Sequence, residues 1–436
     1  MSTTTTRRTI RVEHLARVEG HGGITVELEG DRVSEIRFDV FEGIRLIEGL
    51  IGGRSWEDVS QIVSRICAIC SVAHSMTSIR ATEKAFGVRP DRSTELLRDL
   101  LWRGESIESH ALHLYLLAAP DYLGYPSAPA LAADHPAAVA TGLRLKRLGN
   151  LLQGGVGGRA IHPVNAIPGG FGRLPGEKEL VAMRAALLAA RPDVEATLEL
   201  MRSLPAVPPL DADTVYAAVR QDEAYRYDRG DEVVFLTGDT RRTVPVEALR
   251  TVAPERTVPH AHAKHSRLGD TSFMVGALAR LAVNRDRIGD AGEALLAGLE
   301  LRVPSRDPMD NNRAQAVELA LDVERALVLV ETLLEGRLEP VQAARVTPRS
   351  GTGTVVTEAP RGMLLHSYTY DEEGRIAAAD VITPTAFNAA SLEDHFRAAV
   401  ERDGTADEPA LRHTLERIAR AYDPCISCSV HLSRRR

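Results

Sequence analysis

The chain's four cysteines stand as two C-x-x-C pairs near opposite ends of 436 residues. The first pair lies in Arg65-Ile66-Cys67-Ala68-Ile69-Cys70-Ser71-Val72-Ala73-His74, the second in Asp423-Pro424-Cys425-Ile426-Ser427-Cys428-Ser429-Val430-His431. This spacing suits metal ligation or redox work, and four cysteines in so long a chain make no disulfide scaffold. A thioredoxin-like pair predicts one C-x-x-C beside a βαβ pattern, and neither condition holds here. Zinc is the plain compositional reading, but zinc knuckles close short local loops, whereas residues 71–424 separate these pairs. Folding is therefore expected to join both ends in one four-thiolate site. Closing that loop is costly in entropy, and a shared ion would offset it. Spacing alone leaves zinc, an iron–sulfur cluster, or a soft-ligated nickel or iron centre open.

Charge and hydropathy narrow the remaining classes. The net charge is −7 and the basic residues form no block beyond Arg434-Arg435-Arg436, which argues against nucleic acid as the main ligand. No apolar run is long enough to span a bilayer, and the first nine residues do not resemble a signal peptide, so a cytoplasmic location is expected. Aromatics are only 4% of the chain, leaving Leu, Ala, Val and Ile to fill the interior.

Residues 24–40 alternate as a β-hairpin with one buried face. From 56 to 86 the period lengthens through Trp56, Val59, Val63, Ile66, Cys70, Ala73 and Thr77, predicting a helix that carries the first cysteine pair with Cys67, Cys70 and His74 on one face. Further helical patterns occupy about 94–118, 135–153, 177–203, 271–298, 312–336, 391–402 and 406–421. Residues 205–265 are the least helical interior part, with a strand-like Val233-Val234-Phe235-Leu236. A second β unit is predicted at 363–370 and 375–383. The fold class is mainly α with small β units: a hairpin at 24–40, helical core at 56–203 and 269–340, a peripheral lobe at 204–268, and a β unit with the metal-binding end at 350–436. Gly155-Val156-Gly157-Gly158-Arg159-Ala160 fits G-x-G-x-x-A, but a helical pattern precedes it rather than a strand, so close packing is the better reading. His260, His262 and His265 could bind metal, but no cysteine or carboxylate cluster accompanies them, and a solvated loop is the better reading.

Flanking residues carry the cysteine motifs further. Arg-x-Cys-x-x-Cys-x-x-x-His near the start and Asp-Pro-Cys-x-x-Cys-x-x-His at the end resemble the large subunit of nickel–iron hydrogenases. Arg17-Val18-Glu19-Gly20-His21 and Arg45-Leu46-Ile47-Glu48 are similar to that family's early motifs, and those at 110–121, 158–163, 275–280, 358–362 and 384–388 follow in family order. The Ser71-Val72-Ala73-His74 ending and the short length look most like the cytoplasmic, NAD(P)-coupled and sulfhydrogenase-like branch. The family usually has glycine where this chain has Ala68; in a helical turn alanine fits.

The resemblance implies reversible splitting of H2 and a role for each motif. Cys67, Cys70, Cys425 and Cys428 would hold nickel, with Cys70 and Cys428 bridging to an iron that carries carbon monoxide and cyanide. His74 would donate to a bridging sulfur. Glu48, His431 and the carbonyl of Val381 would bind magnesium; without the family, Glu48 reads as surface charge. Glu19 would relay protons to and from Cys425, though its position alone suggests a solvated glutamate before a glycine turn. Arg361 would face the open metal position as a fixed cation or as a base, oriented by Asp121 and Asp423. Thr385 would bond a cyanide, and Pro360, Leu364 and Pro384 would wall in the diatomic ligands. With every cysteine used, none is left for an iron–sulfur wire, so an iron–sulfur small subunit is the expected partner. NAD(P)-linked diaphorase subunits, a nickel-insertion factor and a maturation protease removing 432–436 are further expected partners. The other reading is a non-catalytic scaffold or zinc-binding interaction subunit of a redox complex.

Overall fold

The computed structural model describes residues 7–30, 32–336 and 343–430. Helices dominate, and small antiparallel sheets sit around them, as the sequence patterns predict. The long Arg92–Leu112 helix packs against two others, Pro136–Gly157 and Asn311–Glu335. The first begins where the Asp91 side chain accepts from Thr94 N at 2.7 Å, satisfying one of the free amides at a helix start. The Pro136–Gly157 helix runs straight into the glycine-rich stretch. A Cβ placed on Gly155 would lie 2.0 Å from Met183 Cε, so this glycine permits close packing, in agreement with the expectation.

The predicted helix over 177–203 is two helices, Glu177–Ala189 and Arg191–Ser203, the second opening with Pro192. That over 271–298 is shorter and also divided, into Ala277–Val283 and Gly289–Gly298. The 24–40 hairpin is Gly22–Glu29 with Arg32–Val40, and a strand the polar start concealed, Arg7–Val12, completes its sheet. The later β unit likewise gains a third strand, Gly351–Ala359, ahead of Gly362–Tyr370 and Ile376–Ile382. This sheet lies on the Ser71–Phe86 helix. Residues 204–268 hold a three-stranded sheet, Val215–Val219, Glu232–Thr237 and Thr240–Pro245, and the pair Glu255–Val258 and Ala261–Ser266.

The two ends of the chain meet. Arg420 Nη1 donates to Ala16 O at 3.0 Å, Arg8 Nη2 bonds Glu408 at 2.6 Å, and Ile426 N donates to Glu19 O at 2.9 Å. Beside this seam, the second cysteine pair is set against the first.

Candidate metal centre

The first cysteine pair is not on a helix, contrary to the predicted face. The Trp56–Val63 helix tightens into a 3₁₀ turn at Ser64–Ile66, Cys67 is extended (φ −145°, ψ 145°), and Cys70 caps the Ser71–Phe86 helix. The hydrophobic period continues through a break that the backbone makes. The break turns Cys67 inward, and its Sγ accepts from Ile69 N and Cys70 N at 3.2 Å each. Ala68 is not among the positive-φ residues, so alanine is unstrained there, although the turn is not helical. Glu105, from the neighbouring helix, accepts from Val72 N at 2.6 Å and Ala73 N at 3.0 Å, fixing the helix start next to Cys70.

Of the second pair, Cys428 lies on a short turn, Ile426–Ser429, and Cys425 caps it, held by Thr385 at the first turn of the Pro384–Asp403 helix. Thr385 Oγ1 accepts from Cys425 N at 2.9 Å and donates to Cys425 O at 3.1 Å. Arg45 ties the two pairs together, its Nη2 donating to Ile66 O at 2.8 Å and to Ser427 O. As a result, Cys67 Sγ stands 3.3 Å from Cys425 Sγ, Cys70 Sγ 3.5 Å from Cys428 Sγ, and Cys425 Sγ 2.7 Å from Cys428 Sγ. All four are buried and their sulfurs converge on one point.

Four buried thiols cannot each become a thiolate without a compensating cation. Burial pushes the Cys425 and Cys428 thiols well above their ordinary range. Cys70 sits at about 11, hydrogen bonds from Cys425 and Cys428 lowering it less than Cys67 and burial raise it. Cys67 alone is held low: burial acts to raise it, but hydrogen bonds with the other three thiols and the Arg361 charge prevail. A soft divalent ion would let the remaining thiols deprotonate, since metal binding to cysteine releases protons. The donor set therefore fits a thiolate-bound metal.

Around this cluster, polar groups are left without partners. Arg361 is buried, follows Pro360 in the turn between two strands, and stands 3.1 Å from Asp423 Oδ1, yet none of its three nitrogens makes an aligned hydrogen bond. Asp423 has φ 51° and also accepts from Gln315 Nε2 at 3.2 Å. Asp121, expected to help orient Arg361, instead pairs with Arg17 and Arg420; it secures the seam between the chain ends. His74 is buried, and burial lowers its pKa to about 4, so it is neutral. Its Nδ1 is 3.2 Å from His366 Nε2 and its Nε2 has no hydrogen-bond partner. Pro360, Leu364 and Pro384 are all buried.

Glu19 is half-buried at the rim. Cys425 Sγ donates to its Oε2 at 3.1 Å, Ser427 N donates to the same oxygen at 3.0 Å, and Ser427 Oγ donates to Oε1. It is thus bonded, not the solvated glutamate its position suggested. Gly20 lets this contact form: its φ is +87°, and a Cβ there would lie 2.8 Å from both Ile426 Cβ and Ser427 N.

Glu48 is buried rather than surface charge. Its Oε1 accepts from Val381 N at 2.9 Å, and its Oε2 has no partner. Burial raises the carboxyl's pKa. The lone oxygen suits a hard cation. His431, the third expected ligand, lies outside the described residues, as does the 432–436 tail. Sequence reasoning missed Glu105, His366 and the Arg45 clamp as parts of the site; only Arg45 left a signal, in its motif.

Comparison with known proteins bears on the same residues. The family described as nickel-dependent hydrogenase matches residues 45–149 and 242–431. The alpha subunit of sulfhydrogenase 1 from Pyrococcus furiosus is 40% identical over 428 residues, covering 98% of each chain. The corresponding polypeptide of the vhu F420-non-reducing hydrogenase from Methanocaldococcus jannaschii is 32% identical, covering 90% of this chain and 98% of that one. Among solved structures, an NAD+-reducing [NiFe]-hydrogenase in its H2-reduced state superposes with a TM-score of 0.84 at 26% identity, over 98% of this chain and 100% of that one.

Proposed function

This chain belongs to the nickel-dependent hydrogenase family as a large, catalytic subunit, and from that premise we propose that it splits H2 reversibly, with Cys425 and Glu19 carrying the proton away. One observation carries the reading: sulfurs from both chain ends converge, and one of them, Cys425, is hydrogen-bonded to a half-buried carboxylate.

Cys67, Cys70, Cys425 and Cys428 would hold nickel and iron, with carbon monoxide and cyanide on the iron. When bound, that group supplies the redox centre at which H2 becomes two protons and two electrons. The chain's own residues do the rest. Cys425 Sγ passes a proton to Glu19 Oε2, which Ser427 holds in place; a relay needs this hydrogen-bond contact before any pKa match matters. Arg361, whose guanidinium points to no aligned partner, acts as a fixed cation paired with Asp423. Burial works against its charge, but Asp423 and the cysteines raise its pKa well above normal, so a base role is disfavoured. Thr385 keeps Cys425 in register by accepting from its amide and would turn its one hydroxyl hydrogen from Cys425 O to a cyanide, and buried Pro360, Leu364 and Pro384 would exclude water from the diatomic ligands. His74 Nε2, which has no hydrogen-bond partner here, would donate toward a cysteine sulfur. Glu48, the Val381 carbonyl and His431 would hold magnesium, Glu48 offering its unpartnered oxygen.

Electrons leave through another polypeptide, because the four cysteines are all at this site. An iron–sulfur small subunit fits a chain whose relative in Pyrococcus furiosus is itself a subunit, the alpha. Exposed Phe41, Ile44, Leu46 and Leu50 flank the Arg45 clamp. Exposed Ile161 and Val164 flank His162, whose N and Nδ1 bond Ser71 Oγ and Ser64 O at 3.0 Å each. Apolar surface on both sides of the first cysteine segment is where such a partner would dock. Beyond it, NAD(P) through diaphorase subunits is the carrier suggested by the NAD+-reducing structural relative, and a cytoplasmic location goes with that carrier. No helix among the described residues is long and apolar enough to cross a membrane. A nickel-insertion factor and a protease acting on 432–436 would serve maturation.

Metal analysis with infrared spectroscopy of the co-expressed complex tests this. Nickel and iron in equal amounts, with metal-bound CO and cyanide bands, are expected. Zinc alone without those bands would overturn it.

A further inference from the structure

We propose that His260, His265 and Glu393 form a second metal site that takes one divalent cation of the zinc class. It goes beyond the hydrogenase reading and does not depend on it. His260 and His265 are not in the solvated loop expected: His265 is buried, His260 is half-buried, and a carboxylate reaches them from a distant helix. His260 precedes the Ala261–Ser266 strand, His265 lies on it, and Glu393 is on the Pro384–Asp403 helix. One ligand atom from each falls within 4.8 Å of the others.

Two features separate this cluster from an ordinary ion pair. First, the carboxylate is already aimed: Glu393 Oε1 pairs with His260 Nε2 at 2.8 Å and accepts from Phe38 N at 2.9 Å, and the backbone amide is the kind of outer hydrogen bond that orients a metal ligand. Second, His265 is buried without a good bond. Its Nδ1 stands 3.7 Å from Glu393 Oε2, beyond hydrogen-bond reach, and its Nε2 has no partner. A buried imidazole left so costs free energy, and a cation between the two imidazoles and the carboxylate would give His265 a strong partner through one ring nitrogen. Two nitrogens and one oxygen leave a fourth position for water, as zinc accepts. The nearby charges offset one another, Arg37 with Asp39 and Arg267 with Asp394, leaving Glu393 to neutralise the ion in part. His262 does not converge: it is exposed and bonds Glu42 O at 2.8 Å. A bound ion would pin the hairpin to the helix whose first turn, through Thr385, holds Cys425.

The test titrates Co2+ alone into the full complex with its cysteine site filled. One equivalent should bind and show visible d–d bands without sulfur-to-cobalt charge transfer, and Zn2+ should displace it. His265→Ala and Glu393→Gln should each weaken binding by about tenfold or more, while His262→Ala changes nothing. His260→Gln alters a half-buried position and serves should His265→Ala fail to fold. No saturable uptake, uptake with charge-transfer bands alone, or binding unaffected by both His260→Gln and Glu393→Gln would each overturn the site.

Discussion

Glu19 has both carboxylate oxygens committed, to Ser427 and to the Cys425 thiol, so an amide can take the same place and keep the geometry while losing the ability to accept a proton. Glu19→Gln should therefore leave nickel, iron and the infrared bands in place and lower both turnover and H/D exchange by about 10²–10⁴-fold; unchanged exchange would remove Glu19 from the path. A second residue-scale prediction concerns His74. Neutral, with a pKa near 4 caused by burial, it carries one N–H. If Nε2 holds that hydrogen toward a sulfur, Nδ1 must accept from His366 Nε2–H at 3.2 Å, and His366 Nδ1 must accept from the Tyr368 hydroxyl at 2.5 Å. The chain of donors then has one sense. Tyr368→Phe should loosen that order and shift the CO and cyanide frequencies with metal content unchanged. Frequencies matching the parent protein's would show that His74 is set without Tyr368.

Between elements, the decisive contact is Arg45, one guanidinium on the carbonyls of Ile66 and Ser427. Joining segments this far apart in sequence costs on the order of 5 kcal/mol in loop closure, which the clamp and the seam beside it must offset. Arg45→Ala should cut nickel and iron occupancy sharply in purified complex while the helical signal persists; full occupancy would show that the cysteines assemble without it. Neither end of this contact is visible in a window of sequence. What was visible is the chemistry that repeats locally: the cysteine pairs, the helical periods and the alternation at 24–40. The break before Cys67 was hidden because Val63, Ile66 and Cys70 keep a helical spacing across a turn that is not helical. Two strands escaped for opposite reasons. Arg7–Val12 buries only alternate residues at its end, and Gly351–Ala359 is rich in glycine and threonine, which reads as turn. Glu105, Glu393 and His366 were missed because each meets its partner from a separate element, so no spacing announces them.

At the scale of the whole molecule, the Asn311–Glu335 helix holds the interior together through buried charge. Glu318 accepts from Arg280 Nε and Nη2 at 2.7 Å each, from His110 Nε2 at 2.8 Å, and from the Tyr225 hydroxyl. One helical turn later Asp322 meets Arg103 Nη1 at 2.6 Å. Burial alone would push the Glu318 carboxyl up, but the Arg280 charge and hydrogen bonds, aided by His110, hold it down at about 2. A carboxyl whose folded pKa lies below its unfolded value near 4.5 adds stability above that unfolded value, and this is lost as pH falls toward the folded one. The shift corresponds to a contribution on the order of 3 kcal/mol. The chain should therefore lose stability between about pH 4.5 and 2. Glu318→Gln should flatten that slope. It should also destabilise the neutral protein by about 3–5 kcal/mol, because Arg280 is then left charged and buried without its main partner. Denaturant unfolding followed across this pH range, parent against variant, decides it: parallel slopes would mean that other carboxylates govern acid unfolding and that this network is electrostatically neutral to the fold.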